Sequence, residues 1–353
     1  MIVKATLPLR VDIGGGVTDI PQIGAQIGTS IANLAIDLFE DEACQSKTSI
    51  SAEAYCNKGR NRLSFNEVEI GSHASSDEYE FLQMMFASFL KKSHTTQGVT
   101  LRISDTLPKG TGLGASAALS LCVLASLYKL KGSDESLDAD KLITEAHYFE
   151  TTEQGIRGGF QDYVAAYFGG YNYIDFASLE NARLSGSPTL GQRVPSAVEG
   201  FLNKNMIFVI QRSENISSST IVEDEVSNFL RSKRHVAPHL QSIKNSNDII
   251  NGVFADPISA DWQDKLVHEI NSSWEAQKRL STLVGDGYIK ELEEMVRPFV
   301  HAQRGPGAGG NSLFLLANPS RKAELIQKLN TLKDKIVVLY GRVNNRGLEL
   351  SIS

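Results

Sequence analysis

The sequence predicts a mixed α and β protein, of the α+β class, built in two halves. Three observations carry that reading. Residues 98–104 alternate, with Val99, Leu101 and Ile103 on one side and Thr100, Arg102 and Ser104 on the other, as a half-buried strand does. Soon afterwards, residues 115–131 are apolar almost throughout, the pattern of a mostly buried helix, and Gly132 ends it. A polar stretch bearing Gly, Ser and Pro, residues 178–196, then separates two regions that each hold strands and helices. It predicts domains over 1–190 and 191–353.

The remaining elements follow in chain order. Residues 2–13 read as extended, and 31–39 as a second apolar segment. Residues 42–56 and 61–70 read as polar, exposed strands, with turns at 57–59 and around Gly71. Residues 79–92 repeat apolar side chains at helical spacing. Residues 138–150 predict a helix with Asp138 as its N-cap. Strand character returns at 170–176 and in the short apolar run 206–211. Two or three helices follow between 219 and 297. Residues 312–317 read as a strand, 321–334 as a helix and 336–340 as a last buried strand, with 347–352 pairing beside it.

Composition narrows the function. A chain of 353 residues, 41% hydrophobic and 22% charged, has the make-up of an ordinary soluble globular protein. A net charge of -6 argues against a dedicated nucleic-acid binder. No apolar run reaches membrane-spanning length, and the start, with Lys4, Pro8, Arg10 and Asp12, does not read as a signal peptide. Cys44, Cys56 and Cys122 form neither a disulfide framework nor a metal pattern. A cytoplasmic protein without nucleic-acid or membrane partners is expected, and a homodimer is left open. None of the seven histidines receives a role.

The stretch LPKGTGLGASAALSLCVL, residues 107–124, places three glycines between a strand and a helix. Glycines let backbone N–H groups approach phosphate oxygens, and the helix adds its free amides and the positive end of its dipole. A Walker A loop needs Gly-Lys-Ser/Thr, and this loop ends Gly-Ala-Ser. The protein-kinase set needs an HRD-type loop and DFG, both absent from the sequence. The dinucleotide form fits at Gly112, Gly114 and Ala117, but the acids that should follow, Asp134 and Glu135, lie in a polar turn. On three glycines alone, a plain connector remains an equal reading.

The whole phrase P-x-G-x-G-L-G-x-S-A-A resembles the phosphate-binding loop of the GHMP kinases, the superfamily of galactokinase, homoserine kinase, mevalonate kinase and phosphomevalonate kinase. Three further stretches are similar to the other motifs, in the same order: PLRVDIGGGVTD at 8–19, GGFQDYVAAYFGG at 158–170 and RGPGAGGNSLFLL at 304–316. Within the superfamily the sequence most resembles the heptose-phosphate kinase and fucokinase branch. Galactokinases carry Glu and His at the places of Gly16 and Val17, which argues against galactose as substrate.

The resemblance implies an N-terminal domain like that of ribosomal protein S5, a ferredoxin-like C-terminal domain, and ATP- and Mg2+-dependent phosphorylation of a sugar or sugar phosphate, favoured at the anomeric hydroxyl. It assigns the ATP cradle to Pro108, Gly110, Thr111, Gly112, Leu113, Gly114, Ala115, Ser116 and Ala117. Magnesium falls to Ser116 and Glu150, with Glu153 as the rival acid. Asp162 becomes the catalytic base, and Arg10 the cation that stabilises transferring charge. Substrate contacts fall to Gly15, Gly16, Thr18, Asp19 and Arg212, and to Gly307, Gly309 and Gly310 of a second glycine loop. Two other activities stay open: a non-catalytic sensor that binds sugar and nucleotide, and an ATP-dependent diphosphate decarboxylase, which would call for more basic residues than residues 8–19 hold.

Overall fold

The computed structural model describes residues 1–28, 30–45, 47–70, 77–93, 97–107, 111–153, 155, 157–175, 189–212 and 217–353. Pro8, which has no N–H to give a ladder, divides the N-terminal extended segment into β1 (Ile2–Leu7) and β2 (Leu9–Asp12). The two pieces enter different sheets. After α1 (Pro21–Ile27) come β3 (Ser30–Phe39), β4 (Lys47–Thr48), β5 (Ile50–Asn57), β6 (Arg62–Phe65) and β7 (Val68–Glu69). Then α2 (Asp77–Ser93) and β8 (Gly98–Asp105) lead to α3 (Ala115–Lys131).

A six-stranded sheet takes the order β1-β5-β8-β6-β7 with a further C-terminal strand beyond β1. α3 lies across β1 and β5 and is buried on nearly every side from Ala117 to Leu127, so its uniform apolar character marks a core helix. The expectation of exposed strands near 42–56 is corrected here. β5 is central, and Ile50, Ser51, Ala52 and Ala54 are buried. Its small side chains are what allow α3 to pack closely, and small residues carry little hydrophobic signal.

The chain continues through α4 (Ala139–Tyr148), a π-helical turn (Phe149–Glu153), α5 (Gln161–Phe168) and β9 (Tyr171–Asp175). Of the expected junction, residues 178–188 lie outside the described residues, as does the turn at Gly71. Next come α6 (Ser196–Asn205), β10 (Met206–Gln211), α7 (Ser218–Ala255), α8 (Trp262–Gln277) and α9 (Tyr288–Val296). The last elements are β11 (Val300–Arg304), β12 (Ser312–Ala317), α10 (Lys322–Asn330), β13 (Ile336–Val343) and β14 (Glu349–Ile352).

The second sheet runs β11-β12-β10-β13-β3-β2, with β4 and β9 also paired to β3. Leu292 and Val296 of α9 and Leu325 and Leu329 of α10 cover β10 and β12 through Ile207, Val209 and Leu313. β14 does not pair beside β13, as the sequence suggested. β13 already has β10 and β3 as neighbours, and β14 instead closes the edge of the first sheet, Val3 opposite Ile352 and Thr6 opposite Glu349. Each sheet thus draws strands from both sides of residue 190. β2 and the N-terminal ends of α3, α5 and α7 line one cleft.

Candidate active site

The first glycine loop leads into α3 through backbone that only glycine adopts readily. Gly112 has φ +65° and Gly114, the N-cap, φ +75°. A Cβ on Gly112 would lie 2.9 Å from the carbonyl oxygen of Gly309, and one on Gly114 3.3 Å from Cβ of Asp162. No side chain caps α3, so the amides of Ala115, Ser116 and Ala117 stay available to an anion. Thr111 and Leu113 are buried in the loop. Pro108 and Gly110 lie outside the described residues.

The second glycine loop, between β11 and β12, faces the first. The Ser312 hydroxyl donates to the Thr111 carbonyl. Gln277 of α8 donates to the Gly307 carbonyl at 3.1 Å, and the Trp274 ring backs Gly305 and Gly309. Gly310 shares the loop's positive-φ backbone. Gly307 packs on Arg10, where a Cβ would lie 2.7 Å from Nη2.

Arg10, on β2, joins both loops to α5. Its Nε donates to Asp162 Oδ1 at 2.6 Å, and its Nη1 donates to the carbonyls of Gly112 at 2.5 Å and Pro306 at 2.8 Å. Burial works against the guanidinium charge, but Asp12 and Asp162 outweigh it, and the arginine is held charged. Asp162 sits in the first turn of α5, where the helix dipole favours a carboxylate. Its side chain keeps about a third of its surface exposed, 30%, toward the cleft. Asp19 is buried beside it. The Gln161 N–H donates to Asp19 Oδ2 at 3.0 Å, and Oδ1 has no hydrogen-bond partner. Burial pushes the Asp19 carboxyl up to about 7.

Ser116 and Glu150 come together. Glu150 lies on the π-helical turn after α4 and is hydrogen-bonded by Ser116 and by the Tyr163 phenol. Burial raises its carboxyl, and Asp162 adds to the rise. A half-buried acid with a hydroxyl beside it and a second acid nearby is a set of hard oxygen donors, which fits magnesium completed by phosphate oxygens and water. The side chain of Glu153, the rival, lies outside the described residues.

These groups line a cleft of about 1160 Å³. Beyond Asp19 its wall is the start of α7, with Ser217, Ser218 and Val222, and Arg157, paired with Glu223 at 3.1 Å. On the other side of the first loop it is apolar, with Phe65, Phe81, Met84 and Leu119. Val17 lines it in a positive-φ conformation, φ 67°, rare for a β-branched residue and a form of strain that gathers at functional sites.

Other residues named from the sequence stand apart from the cleft surface. Gly15, Gly16 and Thr18 are buried behind it. The Thr18 hydroxyl already donates to the Ser30 carbonyl at 2.9 Å, and Gly16 is pressed against Asp12 and Gln161. In the second loop Ala308 reaches the cleft wall, while Gly307, Gly309 and Gly310 shape the loop. The structure does not bring Arg212 to the cleft. β10 ends by turning toward the 330s, and Arg212 donates to the Lys333 carbonyl at 3.3 Å in a separate hollow with Thr106 and Tyr340. Residues 213–216 lie outside the described residues.

The sequence reading missed Asp12, Gln161, Tyr163 as a partner of Glu150, Arg157 and the buried Arg304. Asp12 did carry a signal. It is an acid set between the apolar Val11 and Ile13.

Two glycine loops thus meet on one arginine, which pairs with an acid on α5. Residues 80–170 match the GHMP kinases N terminal domain. The chain has the fold of the GHMP kinases. It is 22% identical to the D-glycero-alpha-D-manno-heptose 7-phosphate kinase of Campylobacter jejuni, over 93% of each chain. It is 21% identical to the bifunctional fucokinase/GDP-fucose pyrophosphorylase of Arabidopsis thaliana over 96% of this chain, which spans 32% of that longer protein. Among solved structures, a D-glycero-D-manno-heptose 1-phosphate kinase from Bacteroides thetaiotaomicron superposes with a TM-score of 0.69 at 18% identity, covering 99% of each chain. Lactococcus lactis galactokinase gives 0.72 at 14% identity, covering 99% of this chain and 95% of that one. Among the described residues no helix is long and apolar enough to cross a membrane.

Proposed function

We propose that this protein is an ATP- and magnesium-dependent kinase that phosphorylates a sugar or sugar phosphate, with the anomeric hydroxyl as the favoured acceptor. One observation carries the reading: the ion pair of Arg10 and Asp162 lies at the N-terminus of α3, between the two glycine loops and on the wall of the cleft. The full-length likeness to heptose-phosphate kinases supports the substrate class.

Each residue then has a task. The amides of residues 115–117 bind the nucleotide's phosphates, and the apolar wall of Phe65, Phe81 and Met84 receives its base. The open oxygen of Asp19 accepts a hydroxyl of the sugar, which relieves an unpaired buried acceptor. Asp162 takes the acceptor's proton as the new O–P bond forms and the bond to the leaving ADP breaks. Arg10 spends Nε on Asp162 and Nη1 on two carbonyls, and Nη2 donates to no described residue. It is the donor left for the transferring phosphoryl group. Ser116 and Glu150 would hold magnesium, which neutralises charge on the phosphates when bound. The retention of Asp162, Ser116 and Glu150 around one cleft favours an enzyme over a sensor. A screen of fucose, heptoses and heptose phosphates with ATP tests the reading. Product formation with one class supports it, and ATP binding without transfer to any of them returns the sensor.

A further inference from the structure

Asp12 is fully buried beside Arg10 and does not line the cleft. It ends β2, two residues from Arg10. Its Oδ1 lies 3.6 Å from the Arg10 Nε that donates to Asp162 at 2.6 Å. Its backbone N–H donates at 2.8 Å to the Pro306 carbonyl, the same oxygen that accepts Arg10 Nη1. The Gln161 amide, oriented to donate, reaches its two oxygens at 3.1 and 3.2 Å. The glycine at 16 follows from this cluster, since a Cβ there would lie 2.8 Å from Asp12 Oδ2 and 2.9 Å from the Gln161 side-chain amide.

The guanidinium therefore has one carboxylate in front and one behind. The front one changes charge during the proposed reaction. If Asp162 were Arg10's only counter-ion, each proton it accepted would leave a buried cation uncompensated, a state that destabilises strongly. We propose that Asp12 is a positioning residue: it holds Arg10 on the two glycine loops from behind while Asp162 gains and loses its proton. This rests on the assignment of Asp162 as base. Asp12 cannot touch substrate, because Arg10 and Gln161 stand between it and the cleft. Burial pushes its carboxyl up to about 6 against the pull of Arg10, and Arg304 on β11 also favours its charge.

The test is Asp12→Asn, which keeps the shape and removes the charge. Among the described residues, Asp162 then becomes the only carboxylate within ion-pair distance of Arg10. The other charged groups facing the pair, Asp19, Glu150 and Arg304, are unchanged. With its second hold gone, Arg10 sits less firmly on the glycine loops, and kcat is expected to fall by roughly tenfold, within the loss of up to about 10²-fold that misplaced catalytic groups cause. The ATP KM should change far less. Wild-type kcat in a variant that melts normally, or a KM that rises as much as kcat falls, overturns the proposal. If Asp12→Asn does not fold, Asp162→Ala decides, because it leaves no acceptor in place of the Asp162 carboxylate. In that variant the 15N-labelled Arg10 Nε–H is expected to stay protected from solvent exchange, because Asp12 still holds it. Rapid exchange there overturns the proposal. This readout needs no turnover. A wild-type protein that transfers phosphate to nothing would sink the kinase reading and leave the exchange result to judge Asp12.

Discussion

The Ser312 hydroxyl donates to the Thr111 carbonyl across 201 residues of chain and ties the second glycine loop to the first. The bond is buried, so Ser312→Ala leaves a carbonyl unsatisfied. That loss is expected to cost about 1–3 kcal/mol of stability. ATP affinity should fall with it, since the loop is freed beside the phosphate cradle. Melting temperature and calorimetry check both effects, and a variant that keeps the two wild-type values would show that the tie is idle.

Gly112 tests the cradle itself. Its φ of +65° and the 2.9 Å approach of the Gly309 oxygen leave no room for a side chain. Gly112→Val should abolish measurable ATP binding by calorimetry while β8 and α3 stay folded by circular dichroism. Undiminished affinity would remove the loop from the nucleotide site.

Ser116 and Glu150 are expected to act as a pair. Neither side chain belongs to the apolar core, so the double alanine variant should fold. Its turnover should collapse, and Mn2+ binding followed by paramagnetic resonance should weaken. Tyr163→Phe, which removes one of Glu150's two hydroxyl partners, is expected to weaken the metal site more mildly. A double variant with wild-type metal dependence would send the search to Glu153.

Asp19 gives a stability signature. Its folded carboxyl is raised from 3.8 to about 7 by burial. The folded state therefore binds the proton more tightly than the unfolded one. The stabilisation is complete below the unfolded value near 3.8 and is lost as pH rises through about 7. Between about pH 5 and about pH 8 the ligand-free protein should lose more stability than Asp19→Asn does, read as denaturant midpoints. Parallel curves for the two proteins would contradict the burial of a lone carboxylate.

Much of this was legible in the sequence where local pattern decides. The alternation at 98–104 became β8, the apolar run at 115–131 became α3, and 206–211 became β10 with the same bounds. Pattern failed where tertiary context decided. β5 is buried through small residues, and β14 crosses to the first sheet because the flanks of β13 are taken. The site divides in the same way. The glycine loop announces itself through strand, glycines and helix. No periodicity links Arg10 to an acid 152 residues away, and that pairing came only from the resemblance to a family. Asp12 and Gln161 were passed over because their partners lie in other segments. Arg212 was misplaced because the direction in which β10 ends is set by Lys335, whose carbonyl accepts the Arg212 N–H at 2.9 Å.

The central claim is that Asp162, held by Arg10, takes the proton from a sugar hydroxyl as ATP gives up its terminal phosphoryl group. The most direct measurement follows transfer of labelled γ-phosphate from ATP to the preferred sugar by the wild type and by Asp162→Asn, with nucleotide affinity measured alongside. The account predicts that the variant binds ATP as the wild type does and loses roughly 10²–10⁴-fold in kcat, the range of general-base catalysis. A fall of less than about threefold, well below that range, in a variant that still folds and binds ATP, would contradict it.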